Sequence, residues 1–352
     1  MRVITINPQK STTMGGVESL IRHLHKISKI NEFYEFYEHC EHEEHFSTSR
    51  DIKFFKYGCD KNNLFSKIKT KLALYNMLLS FCKKTKVDCI IIFHPNDLLY
   101  IPLSIVKSSK IILVQTNRLD VFIPKFSSLI IKLRMKFLFK FTVYTEADKE
   151  SLSKIFPAIS DKIVVIPRGC RLNTANEVNQ YNLNVVTICR IDNKQKNFIA
   201  MNDIVEKLPS GYSLDIYGDG STEEKKFLTN LIKDNPKVRY LGPVTDVKSI
   251  LREYSVFIMT SFYEGFGQSL IEARSQGLPI VAFNTFEALS WIVKDNFNGF
   301  IIKPYDHNLF ASKIVELTRN EHVYKSYSLN ALSLSESTDE NKVMSLWESI
   351  LK

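Results

Sequence analysis

Short runs of β-branched and aromatic residues alternate with longer stretches of helical periodicity, and this alternation limits the fold more than any other feature. In the first half the runs are VITI, IKFFKY, CIIIF, KIILV, FTVYT and KIVVIP. Between them lie helical candidates, including GVESLIRHLHKIS, FSKIKTKLALYNMLLSFCKK and SSLIIKLRMKFLFK. In the second half NVVTI, SLDIYG, VRYLG, VFIMT, PIVAF and GFII read as strands. NFIAMNDIVEKL, EEKKFLTNLIKD, DVKSILREY, GQSLIEARSQG and NLFASKIVELTRN read as helices. Such a pattern predicts α/β architecture, with parallel sheets covered by helices on both faces. A chain of 352 residues is long for one core, so two doubly wound domains are expected. The polar stretch 167–184, PRGCRLNTANEVNQYNLN, has no core pattern and is the expected linker.

The apolar share of 44% and charged share of 24% are those of a globular protein. No apolar run approaches the roughly 18 residues that span a bilayer, and MRVITINPQK turns polar too early for a signal peptide. Six cysteines show no CxxC and no regular framework, which predicts a reduced, cytoplasmic protein. Residues 1–170 carry 27 Lys and Arg against 16 Asp and Glu, a net of +11, while the remainder nets −2. The basic half should therefore meet something anionic. No nucleic-acid recognition motif or aromatic–basic groove pattern accompanies the charge, so nucleic acid is not an expected partner.

In doubly wound sheets ligands bind where strands end and helices begin. One such junction, SFYEGFGQSLIEARSQGLP at 261–279, lies between VFIMT and PIVAF and holds two acids with two glycines between them. The helix should start near Gln268. Gly265 and Gly267 permit close backbone approach, and free amides at the helix start favour a phosphate. Glu264 and Glu272 cannot bind phosphate but accept hydrogen bonds from sugar and ribose hydroxyls. A nucleotide-sugar satisfies both features. The competing reading is a glycine-rich turn followed by a helix with a solvated Glu.

The stretch SFYEGFGQSLIEARSQGLPIVAF resembles the signature of the family-4 retaining glycosyltransferases (glycosyl transferases group 1) of GT-B fold. TICRIDNKQKN (187–197), LDIYGDG (214–220), VRYLGPVTDVKSILREYSVFIMTS (238–261), IPRGC (166–170) and MGGVESLI (14–21) are similar to further family segments, in the same order. The resemblance implies two Rossmann-like domains facing a central cleft: an acceptor domain over 1–170 and a nucleotide-sugar donor domain over 183–335. It also implies a C-terminal helix, 336–352, packing back toward the first domain. The implied activity is retaining transfer of a sugar, on family frequency from a UDP-sugar, to a saccharide or lipid-linked acceptor. No obligatory metal or other cofactor is implied, and a setting in bacterial surface-polysaccharide synthesis is implied by the same resemblance.

By position, the resemblance makes Arg190 and Lys196 the cations that neutralise the departing diphosphate, with Lys194 the alternative to Lys196. Glu264 would hold the transferred sugar and Glu272 the ribose. The amides of Gly265, Phe266 and Gly267 would touch sugar and phosphate, and Gly15 and Gly16 would offer amides to the diphosphate. A plain strand-to-helix turn also explains the last two glycines. The family places a His after the strand that KIILV matches, whereas this chain reads Gln115-Thr116-Asn117-Arg118, and the nearby His94 follows the preceding strand. Gln115 or Asn117 is expected to replace that contact. Arg118, Asp120 and His94 are further candidates for sugar or acceptor contacts. Two other readings use the same residues: an inactive nucleotide-sugar sensor, and an epimerase of the same fold, whose acid and base residues are not found.

Two other runs draw attention. HCEHEEH at 39–45 is rich in metal-binding residue types, but its spacing matches no common zinc pattern, and a solvated loop is expected. KFSSLIIKLRMKFLFKF at 125–141 interleaves Lys125, Lys132, Arg134, Lys136 and Lys140 with apolar residues. It reads as a basic amphipathic helix, either lying on an anionic membrane at the inner face or packed in the core with snorkelling cations.

Overall fold

The computed structural model describes residues 1–13, 15–39, 51–58 and 64–351. They divide into two compact units, Met1–Arg168 with Val343–Lys352, and Gly169–Lys342.

The first unit is a parallel sheet of β1 (Arg2–Gln9), β2 (Glu32–His39), β3 (Ile52–Lys56), β4 (Cys89–Ile92), β5 (Lys110–Val114), β6 (Leu138–Val143) and β7 (Ile163–Val165), in the order β3-β2-β1-β4-β5-β6-β7. The second is a parallel sheet of β8 (Asn184–Ile188), β9 (Ser213–Tyr217), β10 (Val238–Gly242), β11 (Val256–Met259), β12 (Ile280–Phe283) and β13 (Gly299–Ile302), in the order β10-β9-β8-β11-β12-β13. Both sheets reverse their strand order once, between β1 and β4 and between β8 and β11. The α/β reading of the sequence therefore holds in both halves. Central strands such as CIII and IVAF are buried at every position, because helices cover both faces.

β2 has no counterpart among the strands expected from sequence. Its run, EFYEFYEH, carries three glutamates. Glu35 is nonetheless fully buried. Its carboxylate accepts from Asn7 Nδ2 at 2.9 Å and from the Ser11 amide at 2.6 Å, so hydrogen bonds offset the desolvation that hid the strand. Burial raises the Glu35 carboxyl pKa against those same hydrogen bonds.

The helix expected over 125–141 is shorter. It spans Lys125–Arg134, a 3-10 turn covers Met135–Phe137, and β6 begins at Leu138. Pairing decides this: Leu138 sits opposite Ile111, and Phe141 opposite Leu113 across a register shift. Both Leu138 and Phe141 are buried in the sheet core. Helical character near the C-terminus is also interrupted. A helix over Glu321–Ser335 is followed by a 3-10 turn at Glu336–Thr338 and a second helix, Glu340–Ile350. In the first unit Val343, Trp347, Ile350 and Leu351 join the core face formed by Val3, Ile21, Leu24 and Ile91.

The polar stretch 167–184 is stitched down rather than loose. Asn179 Nδ2 donates to the carbonyls of Leu251 and Tyr254 at 3.0 and 3.3 Å. The Ala175 amide donates to Ser275 O at 2.8 Å. Its order comes from hydrogen bonds, which an apolar pattern does not register.

Candidate active site

β8 and β11 are neighbours at the strand-order reversal of the second unit, so the loops leaving their carboxyl ends lie side by side. After β8 the chain makes a one-turn helix, Asn193–Lys196, capped by Asp192, whose carboxylate accepts from the Lys194 amide at 3.1 Å. Asn197 follows in a left-handed conformation with φ 57°. After β11 come Thr260 to Gly267 and then the helix Gln268–Ser275, which starts at the expected residue. Gly267 has φ 91°. A Cβ there would lie 3.1 Å from Leu270 Cδ1 and 3.2 Å from the Phe286 ring, so backbone and space both favour glycine.

The two loops are zipped together. Phe262 N donates to Gln195 O at 2.8 Å, and Gln195 Nε2 to Tyr263 O at 3.2 Å. The Thr260 hydroxyl reaches the carbonyls of Lys196 and Asn197. This zipper brings Lys196 Nζ to 2.5 Å from Glu264 Oε1, where the Ser261 hydroxyl also donates at 2.7 Å. Both charged side chains are nearly buried. Lys196, and not Lys194, meets the acid: the one-turn helix turns Lys194 into solvent. Arg190 is exposed just beyond β8, with no hydrogen bond or ion pair to protein among the described residues. Gly265 is partly exposed, and Phe266 is buried against Trp291 at 5.8 Å between ring centres.

Glu272, on the helix Gln268–Ser275, is buried and already engaged. Arg171 Nε donates to its Oε1 at 2.5 Å, and Gln268 Nε2 approaches the same oxygen at 3.3 Å. Sequence reading missed Arg171, whose only signal was a cation in a polar stretch with no helix or strand pattern. It also missed Arg274 on the same helix, a fully buried guanidinium. Arg274 donates to Ile292 O, Ser337 Oγ and Thr338 Oγ1 at 2.9 to 3.2 Å and lies 5.5 Å from the Trp291 ring centre. Burial lowers its pKa to about 10.

In the first unit the reversal lies between β1 and β4. The helix Gly16–Leu24 follows the β1 loop and has no side-chain cap. A Cβ on Gly15 would meet Glu18 Oε2 at 1.9 Å, and one on Gly16 would meet Arg168 Nη1 at 1.6 Å. The two glycines thus make room for protein groups. Arg168 is a further residue that the sequence reading passed over. It donates to the Tyr144 hydroxyl from Nε and Nη2, at 3.1 and 2.8 Å, and stacks over that ring. Glu18 is buried, and desolvation raises its carboxyl pKa against the opposing charges of Arg168 and Arg22.

Gln115 is buried with its carboxamide committed. It donates to Asn117 O and Asp148 Oδ1 and accepts from the Tyr144 amide. It braces the turn before the helix Glu146–Ile155. Asn117 Oδ1 accepts from the Arg118 amide at 2.8 Å. Arg118 forms a two-point pair with Asp120, 2.6 Å at each contact. His94 caps the 3-10 turn Pro95–Leu99 by accepting from the Asn96 amide at 3.2 Å. These candidates are all engaged locally, and the carboxamide of Gln115 is the most fully used.

Among the described residues no group of three or more His, Cys, Asp or Glu could hold a metal ion, and no helix is long and apolar enough to cross a membrane. The run 40–45 of HCEHEEH lies outside the described residues.

Residues 182–320 match the family described as glycosyl transferases group 1. The chain is 26% identical over 315 residues to the amylovoran biosynthesis glycosyltransferase AmsD of Erwinia amylovora, covering 84% of this chain and 87% of that protein. It is 27% identical over 184 residues to the poly(ribitol-phosphate) alpha-N-acetylglucosaminyltransferase of Staphylococcus aureus, covering 45% of this chain and only 37% of that protein. Anabaena HepE in complex with UDP superposes with a TM-score of 0.79 at 15% identity, over 99% of each chain, a likeness of fold. The two parallel-sheet units are of GT-B type, and residues 182–320, which contain Arg190, Lys196, Glu264 and Glu272, carry a glycosyl transferases group 1 domain.

Proposed function

We propose that this glycosyltransferase moves a sugar from a nucleotide-sugar, with a UDP-sugar the first choice, to a saccharide or lipid-linked glycan acceptor, with retention of configuration and without an obligatory metal. The observation that carries the reading is the buried Lys196–Glu264 pair, with the exposed Arg190 in the same loop after β8, at the strand-order reversal of the second unit. A diphosphate leaving group gains charge as its bond to the sugar breaks, and preorganised cations lower that barrier. Among the described residues Arg190 has no partner to give up, and Lys196 can share its charge between Glu264 and a phosphate. Glu264 Oε1 already accepts from Lys196 and Ser261. The carboxylate's remaining capacity suits sugar hydroxyls. In the retaining step the acceptor oxygen bonds to the anomeric carbon on the face from which the diphosphate departs. The acceptor's proton passes to a phosphate oxygen, so no protein carboxylate need attack.

The UDP bound to Anabaena HepE and the biosynthesis named for AmsD support the UDP-sugar and surface-polysaccharide parts of this reading. The first unit adds a surface suited to an anionic bilayer. The helix Lys125–Arg134 exposes Phe126, Leu129 and Leu133 beside Lys125 and Lys132. The helix Leu64–Lys84 exposes Phe65, Ile68 and Leu72 beside Lys67 and Lys69. The turn Pro95–Leu99 bridges them: Asn96 accepts from Ser127 and Asp97 pairs with Lys71. Exposed apolar stripes flanked by lysines bind anionic interfaces.

The test is a panel of UDP-, GDP- and ADP-sugars, with release of free sugar and nucleotide followed over time. Slow hydrolysis or transfer of at least one, lost in Glu264→Ala and Arg190→Ala, is expected. Binding without release would favour a sensor, and neither binding nor release would end the reading. The anomeric configuration of the product, read by NMR, decides retention.

A further inference from the structure

The segment Gly169–Arg171 is laid along the helix that carries Glu272 by three successive contacts. Gln268 Nε2 donates to Gly169 O at 3.1 Å, the Cys170 thiol approaches Ile271 O at 3.6 Å, and Arg171 Nε donates to Glu272 Oε1 at 2.5 Å. The Glu272 side chain is 4% exposed and that of Arg171 42%. A buried carboxylate needs a cation or donors to stay charged, and Arg171 supplies the cation from the solvent side. Partial burial works against the guanidinium's charge, yet the adjoining Glu272 carboxylate holds its pKa above the ordinary value. The two nitrogens that reach Glu272 both address Oε1. Oε2 takes no hydrogen bond among the described residues, and each carboxylate oxygen offers about two acceptor directions.

We propose that Arg171 is a positioning residue of the nucleotide subsite: with Gln268 it occupies one oxygen of Glu272, fixes the orientation of that side chain, and leaves the other oxygen to accept from a ribose hydroxyl. This rests on the nucleotide-sugar reading and adds to it the residue that sets ribose recognition. Without Arg171 the carboxylate loses its fixed orientation, and the ribose hydroxyl loses an aligned acceptor. Contacts elsewhere on the nucleotide are untouched.

The experiment is calorimetric titration of the full chain and its Arg171→Ala and Arg171→Lys variants with UDP, 2′-deoxy-UDP and 3′-deoxy-UDP. Wild type should favour UDP over at least one deoxy analogue by about tenfold, the scale of one charge-assisted hydrogen bond. Arg171→Ala should weaken UDP by about tenfold, change that analogue by less than about twofold, and so erase the preference; Arg171→Lys should restore part of it. A merely structural role would weaken all three ligands alike, and that result, or an unchanged preference in Arg171→Ala, overturns the proposal. Where Arg171→Ala fails to fold, Arg171→Gln is read by the same criterion. If wild type binds GDP or ADP instead, the corresponding ribo and deoxy pair is used. Binding of none of the three overturns the nucleotide-sugar reading and this proposal together; nucleotide binding with the preference unmoved overturns this proposal alone.

Discussion

Lys196 and Glu264 are each about one-tenth exposed and joined at 2.5 Å. Such a pair contributes little net stability, but stranding one member of it is costly, about 3–5 kcal/mol. Lys196→Met should therefore lower unfolding free energy by about that amount in urea titration. The double variant Lys196→Met/Glu264→Leu should regain most of the stability, while neither variant turns over a nucleotide-sugar. Equal stability of the single variant and wild type would mean that the pair is not buried in solution. Arg190 is the contrasting case, exposed and without a protein partner among the described residues. Arg190→Ala should leave stability within about 0.5 kcal/mol and lower kcat by about 10²–10³. Unchanged turnover would remove Arg190 from the diphosphate-binding role.

At the scale of elements, the helix Gln268–Ser275 owes its entry to one residue. Gly267→Ala places a Cβ in a left-handed position at 3.1 Å from Leu270, which should cost about 1–2 kcal/mol. Because the helix carries Glu272, donor KM should rise alongside the loss of stability. The helix Lys125–Arg134 tests the membrane surface. Replacing Phe126, Leu129 and Leu133 with Gln removes exposed apolar area and no core contact. Flotation with anionic vesicles should fall sharply, with turnover on a water-soluble acceptor unchanged. No flotation of the wild type at low salt would remove the membrane from the scheme. This helix also shows why its C-terminal boundary escaped sequence reading. FLFKF continues a helical spacing, and only the pairing of β6 with β5 turns it into a strand.

Across the whole molecule the chain returns to its first unit at the end. Trp347 is 2% exposed in the core face that also holds Val3, Ile21 and Ile91. Trp347→Ala should destabilise the first unit by about 3–5 kcal/mol. Hydrogen exchange should report faster opening of β1 and β4, with β8 and β11 unaffected. The nucleotide-induced rise in melting temperature of the second unit should persist. Uniform loss of protection in both sheets would show that the two units unfold as one.

Much was legible in the chain before any coordinates. Alternating buried strands and amphipathic helices determine the α/β class, because only parallel sheets clad on both faces bury such runs. The spacing of Glu264, Gly265, Gly267 and Glu272 located the loop, since glycine and carboxylate preferences act within a few residues. Other features depended on residues far apart in sequence and became visible only in three dimensions. β2 exists because Asn7 and Ser11 satisfy Glu35 from another strand and loop. The choice of Lys196 over Lys194 was made by a one-turn helix and the zipper to residues 260–263. Arg171, Arg168 and Arg274 find their partners across 101, 24 and 64 positions. Local pattern carries propensity and periodicity, whereas the partner that makes a buried charge tolerable is supplied by tertiary packing alone.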